Sequence, residues 1–250
     1  MFFGCKKLSF GYSENKVLKE IDLEIEKGDF IGLVGSNGSG KSTLLKLLCG
    51  ILLPEEGQII FNDQILNDKN RLKVGYIFQN PENQIIGVTV EEDVAFGLEN
   101  IGVPREQMSE RIEWALSTVG LTGFNKNDPN TLSGGQKQRL AIASILAMKP
   151  EVILMDEPTS MLDPKGRNEI YKVIDRLLQM GETIIIASHH PSDLEKVDKI
   201  IALSEGKIVF EGDKEDFYSK RIIETELPFK EKLKRSVSRN LEELVDELCR

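Results

Sequence analysis

The chain has few cysteines, no long apolar run and a deficit of positive charge. Each absence removes a class of protein. Its three cysteines, Cys5, Cys49 and Cys249, are odd in number and far apart among 250 residues. That spacing suits neither a disulfide framework nor a zinc site, and it points to a reducing compartment. The longest apolar stretches, such as "TIIIAS", fall far short of the roughly 20 residues a membrane helix needs. The opening "MFFGCKKLSFGYS" has no apolar leader region. The chain is therefore not expected to span a membrane alone, which leaves it free to dock on a protein that does. A net charge of −9 repels nucleic-acid phosphates unless a local basic patch offsets it. No internal repeat or low-complexity tract is visible.

What is present alternates between strand and helix patterns. "KKLSFGY", "VLKEIDLEIEKGD" and the apolar "FIGLVG" read as strands, and "KSTLLKLLCGIL" has helical spacing. "GQIIFNDQIL" and "KVGYIFQ" read as further strands, and residues 82–148 as mostly helical, with "EQMSERIEWALSTVG" the clearest amphipathic segment. "EVILMDEP" and "ETIIIASHH" read as buried strands on either side of a helix closed by glycine, and "DKIIALSEGKIVFEGD" as a hairpin turning on Glu205 and Gly206. This order predicts an α/β fold with a mostly parallel sheet covered on both faces. From about Lys220 the chain becomes charged and helical, with Leu241, Leu244, Val245 and Leu248 on one stripe. Residues 1–220 are thus expected to form the main domain and 221–250 a helical extension.

Gly35, Ser36, Asn37, Gly38, Ser39, Gly40, Lys41 and Ser42 spell G-x-x-x-x-G-K-[ST] between a buried strand and a helix. The glycines let backbone N–H groups turn inward around a phosphate, and the helix that follows adds its dipole. Lys41 supplies a point charge for the β/γ-phosphates, and Ser42 a hydroxyl ligand for Mg²⁺. An ordinary glycine-rich turn is the competing reading, and the full match in context disfavours it. Asp156 and Glu157 end a buried strand, on the side of the sheet where ligands collect. Asp156 is placed to hold Mg²⁺ through water, and Glu157 to polarise an attacking water. His189 ends the next buried strand, within reach of a γ-phosphate; taken alone, a structural histidine is the commoner case. His190 has no role that the residues define. Ser133 and two glycines precede a helix and make a second anion site. One helix terminus is worth only about 0.3–2 kcal/mol, so the economical reading is that it completes a site on another subunit.

Taken together, "LSGGQ" at 132–136, the phosphate loop, "ILMDEP" and His189 resemble the ABC-transporter ATPase subunits over roughly residues 2–220. The resemblance implies a P-loop NTPase, RecA-like core with an antiparallel β subdomain and an α-helical signature subdomain at about 82–148. It also implies two ATP molecules, with Mg²⁺, clamped between two ATPase subunits in a homodimer or heterodimer. Carried over by position, Ser133, Gly135 and Gln136 contact nucleotide across the interface, and Thr43 extends the phosphate loop's contacts. Asp163 in "SMLD" matches the loop linking the two sites. Tyr12 matches the adenine-stacking aromatic, with Phe10 competing. Glu157 matches the catalytic glutamate, His189 the switch histidine, and Gln79 the glutamine that binds Mg²⁺ and the attacking water. His190 departs from the aspartate common at its position.

"FQNPENQ" followed by "VEEDVAFGLEN" is similar, more narrowly, to the ATPases of energy-coupling factor importers of vitamins and metal ions. That likeness implies a short helix at 80–84, with Asn80, Glu82 and Gln84 beside a groove for a transmembrane coupling subunit. It further implies that a separate membrane subunit chooses the substrate, that no nucleic acid takes part, and that the chain sits peripherally on the cytoplasmic face of the membrane. Acidic Glu82, Glu91, Glu92 and Asp93 would suit a basic ligand; on the residues alone, a solvated acidic turn capped by Thr89 is the simpler reading. An ordinary importer ATPase, and a non-transport ABC ATPase acting on nucleic acid or ribosomes, stay open. The latter usually carries tandem cassettes, long coiled-coil insertions or zinc modules, none of which is visible here.

Overall fold

The computed structural model describes residues 1–13 and 15–220. The expected helical extension, its apolar stripe and Cys249 lie outside them.

Two sheets organise the chain. In the first, β1 (Phe3–Tyr12) pairs antiparallel with β2 (Asn15–Ile25) and with β4 (Glu56–Phe61), which pairs with β5 (Gln64–Ile65). The stretch "GQIIFNDQIL", expected as one strand, is a hairpin. Asn62 and Asp63 both take left-handed φ values, 48° and 59°, which is the backbone of a two-residue turn whose twist matches the flanking strands.

The second sheet holds β3 (Phe30–Val34), β6 (Val74–Ile77), β7 (Val152–Asp156), β8 (Thr183–Ala187), β9 (Lys199–Ser204) and β10 (Lys207–Asp213), in the spatial order β10-β9-β3-β8-β7-β6. All neighbours are parallel except β10, which returns antiparallel to β9 through the expected Glu205-Gly206 turn. Side chains alternate between two cores. Ile153, Met155, Ile184 and Ile186 enter the core built with α2 (Val90–Asn100), α3 (Arg105–Thr118), α4 (Gly134–Ala147) and α5 (Pro164–Gln179). Val152, Leu154, Ile185 and Ala187 enter the core shared with α1 (Lys41–Leu48) and the antiparallel sheet. Both faces are therefore buried, which is why these strands read as unbroken apolar runs. A short α6 (Lys214–Lys220) closes the described chain.

This alternation places the acids. Asp156 shares its parity with Val152 and Leu154, so it faces the α1 side of the sheet. Among the described residues, no helix is long and apolar enough to cross a membrane.

Candidate active site

The phosphate loop leaves β3 and closes on Gly40, the N-cap of α1, at φ 107°. It closes this tightly only as glycine. A Cβ on Gly35, at φ 154°, would lie 2.4 Å from the Leu203 carbonyl oxygen, and one on Gly40 would lie 2.7 Å from Leu18 Cδ2. Ser36, Asn37 and Gly38 are exposed, whereas Ser39, Lys41 and Thr43 are buried. Lys41 Nζ donates to the carbonyls of Gly35 at 2.8 Å and Ser36 at 3.2 Å. Burial lowers the Lys41 pKa, while Glu157 and then Asp156 oppose the shift. An anion in the loop would therefore meet a desolvated ammonium.

An open cleft of about 800 Å³ lies over this loop, lined by Tyr12, Val17, Asn37, Gly38, Lys41, Ser42, Thr43, Gln79, Glu157, Ser160, Met161 and His189, among others. At its floor Ser42 Oγ donates to Asp156 Oδ1 at 2.9 Å, and the buried Tyr76 hydroxyl donates to Asp156 Oδ2 at 2.8 Å. Burial first, then the Asp156 charge, raises the Tyr76 pKa, so Tyr76 stays a donor.

Glu157 sits at the head of the cleft with φ 46°, in the left-handed region that non-glycine residues avoid. Its N–H donates to the Ala187 carbonyl at 2.9 Å. Its carboxylate meets Gln79 Nε2 at 3.1 Å through Oε2 and His189 Nδ1 at 3.1 Å through Oε1. Gln79, Glu157 and His189 come from three loops, 78 and 32 residues apart, and converge on one point. Ser160, which the sequence did not single out, also accepts from Gln79 Nε2 at 3.2 Å. Its only signal was its place three residues after Glu157.

The aromatic alternative is resolved by burial. Phe10 is 9% exposed and belongs to the core, while Tyr12 is 50% exposed and packs edge-on against it at 5.0 Å. Tyr12 is the face available to a ligand.

The signature residues lie elsewhere. Ser133 caps α4 in a reciprocal box: Gln136 N–H donates to Ser133 Oγ at 3.4 Å, and Ser133 N–H donates to Gln136 Oε1 at 2.8 Å. Ser133 is exposed, Gly135 packs close to Gly166, and none of Ser133, Gly135 or Gln136 lines the cleft. Asp163 caps α5, accepting from Gly166 N–H at 2.7 Å. His190 caps a short 3₁₀ turn and its ring contacts Arg167, which in turn donates to the Leu162 carbonyl at 3.1 Å.

The segment at 80–84 contains a 3₁₀ turn, Pro81–Asn83, capped by the Asn80 side chain. Its polar groups already have partners. Gln84 accepts from Phe78 N–H at 3.2 Å and donates to the Ala141 carbonyl at 3.0 Å. Glu82 pairs with Lys137 of α4 at 2.6 Å. The other acids expected to suit a basic ligand also have partners within the chain. Glu91 pairs with Lys126 at 2.8 Å, Glu92 completes the capping box of Thr89, and Asp93 is buried, accepting from Ile86 N–H, Gly87 N–H and Ser144 Oγ. What this region does present is apolar: Ile86, Val88 and Phe96 are exposed.

The family model described as "ABC transporter" matches residues 18–160. The energy-coupling factor transporter ATP-binding protein EcfA1 of Thermotoga maritima is 48% identical, over 90% of this chain and 87% of that protein. EcfA1 of Caldanaerobacter subterraneus is 45% identical, over 86% and 81%. Among solved structures, cbiO1 of Clostridium perfringens, part of the ABC transporter complex cbiONQ, superposes with a TM-score of 0.78 at 33% identity, covering 88% of this chain and 92% of that one. A dimeric ATP-binding cassette in a post-hydrolysis state with ADP and Pi superposes with a TM-score of 0.74 at 30% identity, covering 85% and 98%. The fold and the cleft thus define an ABC ATPase. The chain belongs to the ABC transporter family and, within it, to the ATP-binding, ATP-hydrolysing subunits of energy-coupling factor transporters.

Proposed function

We propose that two ATPase subunits close on two ATP molecules, each cleft being completed by the other subunit's Ser133, Gly135 and Gln136, and that closure drives uptake of a vitamin or metal ion through membrane partners. One observation carries this reading. The cleft holds a phosphate loop and three converging hydrolytic candidates, yet the exposed, capped N-terminus of α4 takes no part in it. The likeness to a dimeric cassette holding ADP and Pi supports it.

Within each site, residues 35–43 hold the triphosphate and Tyr12 stacks on adenine. Stacking of this kind is worth about 1–3 kcal/mol. Ser42, Gln79 and Asp156 would hold Mg²⁺, Asp156 through a water. Among the described residues no three His, Cys, Asp or Glu side chains form a metal cage. That suits Mg²⁺, which keeps its waters and binds through few protein groups plus substrate phosphates. The ion supplies charge neutralisation on the phosphates. Glu157 orients and polarises the attacking water, Gln79 fixes the free edge of its carboxylate, and His189 meets the γ-phosphate. Asp163 lies on the loop between the paired sites.

The partners in the membrane are a transmembrane coupling subunit and a separate substrate-binding subunit, with this chain peripheral on the cytoplasmic face. Exposed Ile86, Val88 and Phe96, beside the turn at 80–84, offer the coupling subunit an apolar seat. Glu82 lies at its polar edge, and Asn80 and Gln84 shape the turn from inside. Residues 1–220 act as the ATPase domain, with 82–148 its helical part, and 221–250 as an appendage.

The test is the oligomeric state of Glu157→Gln in ATP. A stable ATP-dependent dimer that Ser133→Ala weakens is expected. A Glu157→Gln protein that stays monomeric at saturating ATP, alone and with its membrane complex, overturns the sandwich.

A further inference from the structure

We infer that Asp193 is a positioning residue for ATP hydrolysis: its buried carboxylate ties the loop that carries Glu157 to the loop that carries His189. The inference rests on the reading of those two residues as hydrolytic groups.

Asp193 is 5% exposed. Three hydroxyls converge on it. Thr159 Oγ1 lies 2.9 Å from Oδ1 and 2.8 Å from Oδ2, Tyr171 donates to Oδ1 at 2.7 Å, and Ser188 donates to Oδ2 at 2.5 Å. No ion pair reaches it among the described residues. Thr159 is fully buried two residues after Glu157, and Ser188 immediately precedes His189. Ser188 Oγ also accepts the N–H of His190 at 2.9 Å, so the carboxylate controls both ends of the His189 linkage. Tyr171 brings in α5, the helix that Asp163 caps.

A buried carboxylate held only by neutral donors gains little net stability, because its own desolvation offsets its hydrogen bonds. What it provides is direction: charge-assisted hydrogen bonds are short and geometrically strict. Directional support is what the site needs. Glu157 sits in the left-handed region and holds there only if its surroundings over-determine it. The Glu157–His189 contact at 3.1 Å spans two loops that share a backbone tie from the Glu157 N–H to the Ala187 carbonyl. The path Thr159–Asp193–Ser188 is a second tie across the same gap. Asp193 is not among the residues that line the cleft, so its loss should spare nucleotide binding and misplace the attack.

Asp193→Asn, Ser188→Ala and Asp193→Ala are to be assayed as full chains, with Glu157→Gln alongside, for Mg·ATP affinity, steady-state kcat and KM, and thermal unfolding. Asp193→Asn and Ser188→Ala are expected to bind Mg·ATP within about twofold of the parent. Their kcat should fall about 10–100-fold, the scale of an ångström-level misplacement, and the double variant should lose little more than Asp193→Asn alone. If Asp193→Ala does not fold, Ser188→Ala, which removes one hydroxyl, carries the test. Unchanged kcat in Asp193→Asn and Ser188→Ala beside an inactive Glu157→Gln overturns the inference and leaves the reading of Glu157 standing. So does a parallel loss of ATP affinity and kcat, which marks a merely structural role. A fully active Glu157→Gln overturns the reading of Glu157, and the inference with it.

Discussion

Lys137 Nζ meets Glu82 Oε1 at 2.6 Å, joining the turn proposed to receive the membrane partner to the helix that carries the signature. Lys137 is 16% exposed and Glu82 64% exposed at their side chains. The Lys137 ammonium holds the Glu82 carboxyl below its ordinary range. Two further bonds run the same way: Gln138 Nε2 donates to the Phe78 carbonyl at 3.3 Å, and Gln84 to the Ala141 carbonyl. The turn and the first two turns of α4 are thus strapped together. Glu82→Ala and Gln84→Ala should each reduce recovery of the chain with its membrane subunit several-fold while ATP affinity stays unchanged. Pull-down from membranes beside nucleotide titration checks this, and undiminished recovery with both variants removes the turn from the interface.

Glu157→Gln keeps the shape and the contact with Gln79 but cannot take or attract a proton. Turnover should fall about 10²–10⁴-fold, the usual scale for an acid–base group, with ATP binding retained. Phosphate release under saturating ATP measures it, and near-normal hydrolysis would remove Glu157 from the reaction.

Chelation of Mg²⁺ should abolish hydrolysis, and readdition restore it. Asp156→Asn leaves one of the Ser42 and Tyr76 hydroxyls facing an amide N–H in place of a carboxylate oxygen and should raise the Mg²⁺ requirement on the order of 10–100-fold. A Mg²⁺ titration of the ATPase rate reads this directly.

Gly35→Ala places a Cβ 2.4 Å from the Leu203 carbonyl oxygen. Backbone cannot yield as a flexible side chain does, so the loop must open. The expected result is loss of ATP binding, with unfolding lowered by about 1–3 kcal/mol for the strained geometry. Calorimetry with and without ATP separates the two effects.

Cys5 and Cys49 are buried, and burial pushes their thiols up to about 12 and about 11. Because the thiolate is the nucleophile, neither should react with a maleimide near pH 8. For each, the folded pKa lies above the unfolded one, so the folded state keeps protons the unfolded state loses. The stability this gives is full below the ordinary thiol pKa of 9.0 and is lost as pH rises toward the folded values. Peptide mapping after labelling should find both thiols unmodified in the native protein and modified in denaturant.

The phosphate loop, the acids after β7 and the strand–helix alternation were all legible in the chain, because each is set by neighbours a few residues apart. Glycine spacing dictates a turn, and an unbroken apolar run ended by Asp156 and Glu157 dictates a strand end. The same local logic failed at Asn62 and Asp63, where two successive left-handed residues made a hairpin from one expected strand. It failed again at Asp93, which looked like a surface acid but is buried under three donors. Asp193 gave no signal either, since its partners lie 34, 22 and 5 residues away. Where Gln79, Glu157 and His189 meet depended on the sheet order β8-β7-β6 bringing three strand ends side by side, and which of Phe10 and Tyr12 is exposed depended on how the end of β1 packs. Sequence settles what each segment becomes, because that is decided by backbone sterics and solvent within a few residues. Only long-range packing decides which side chains share a dry, crowded space, and the chemistry of this protein resides there.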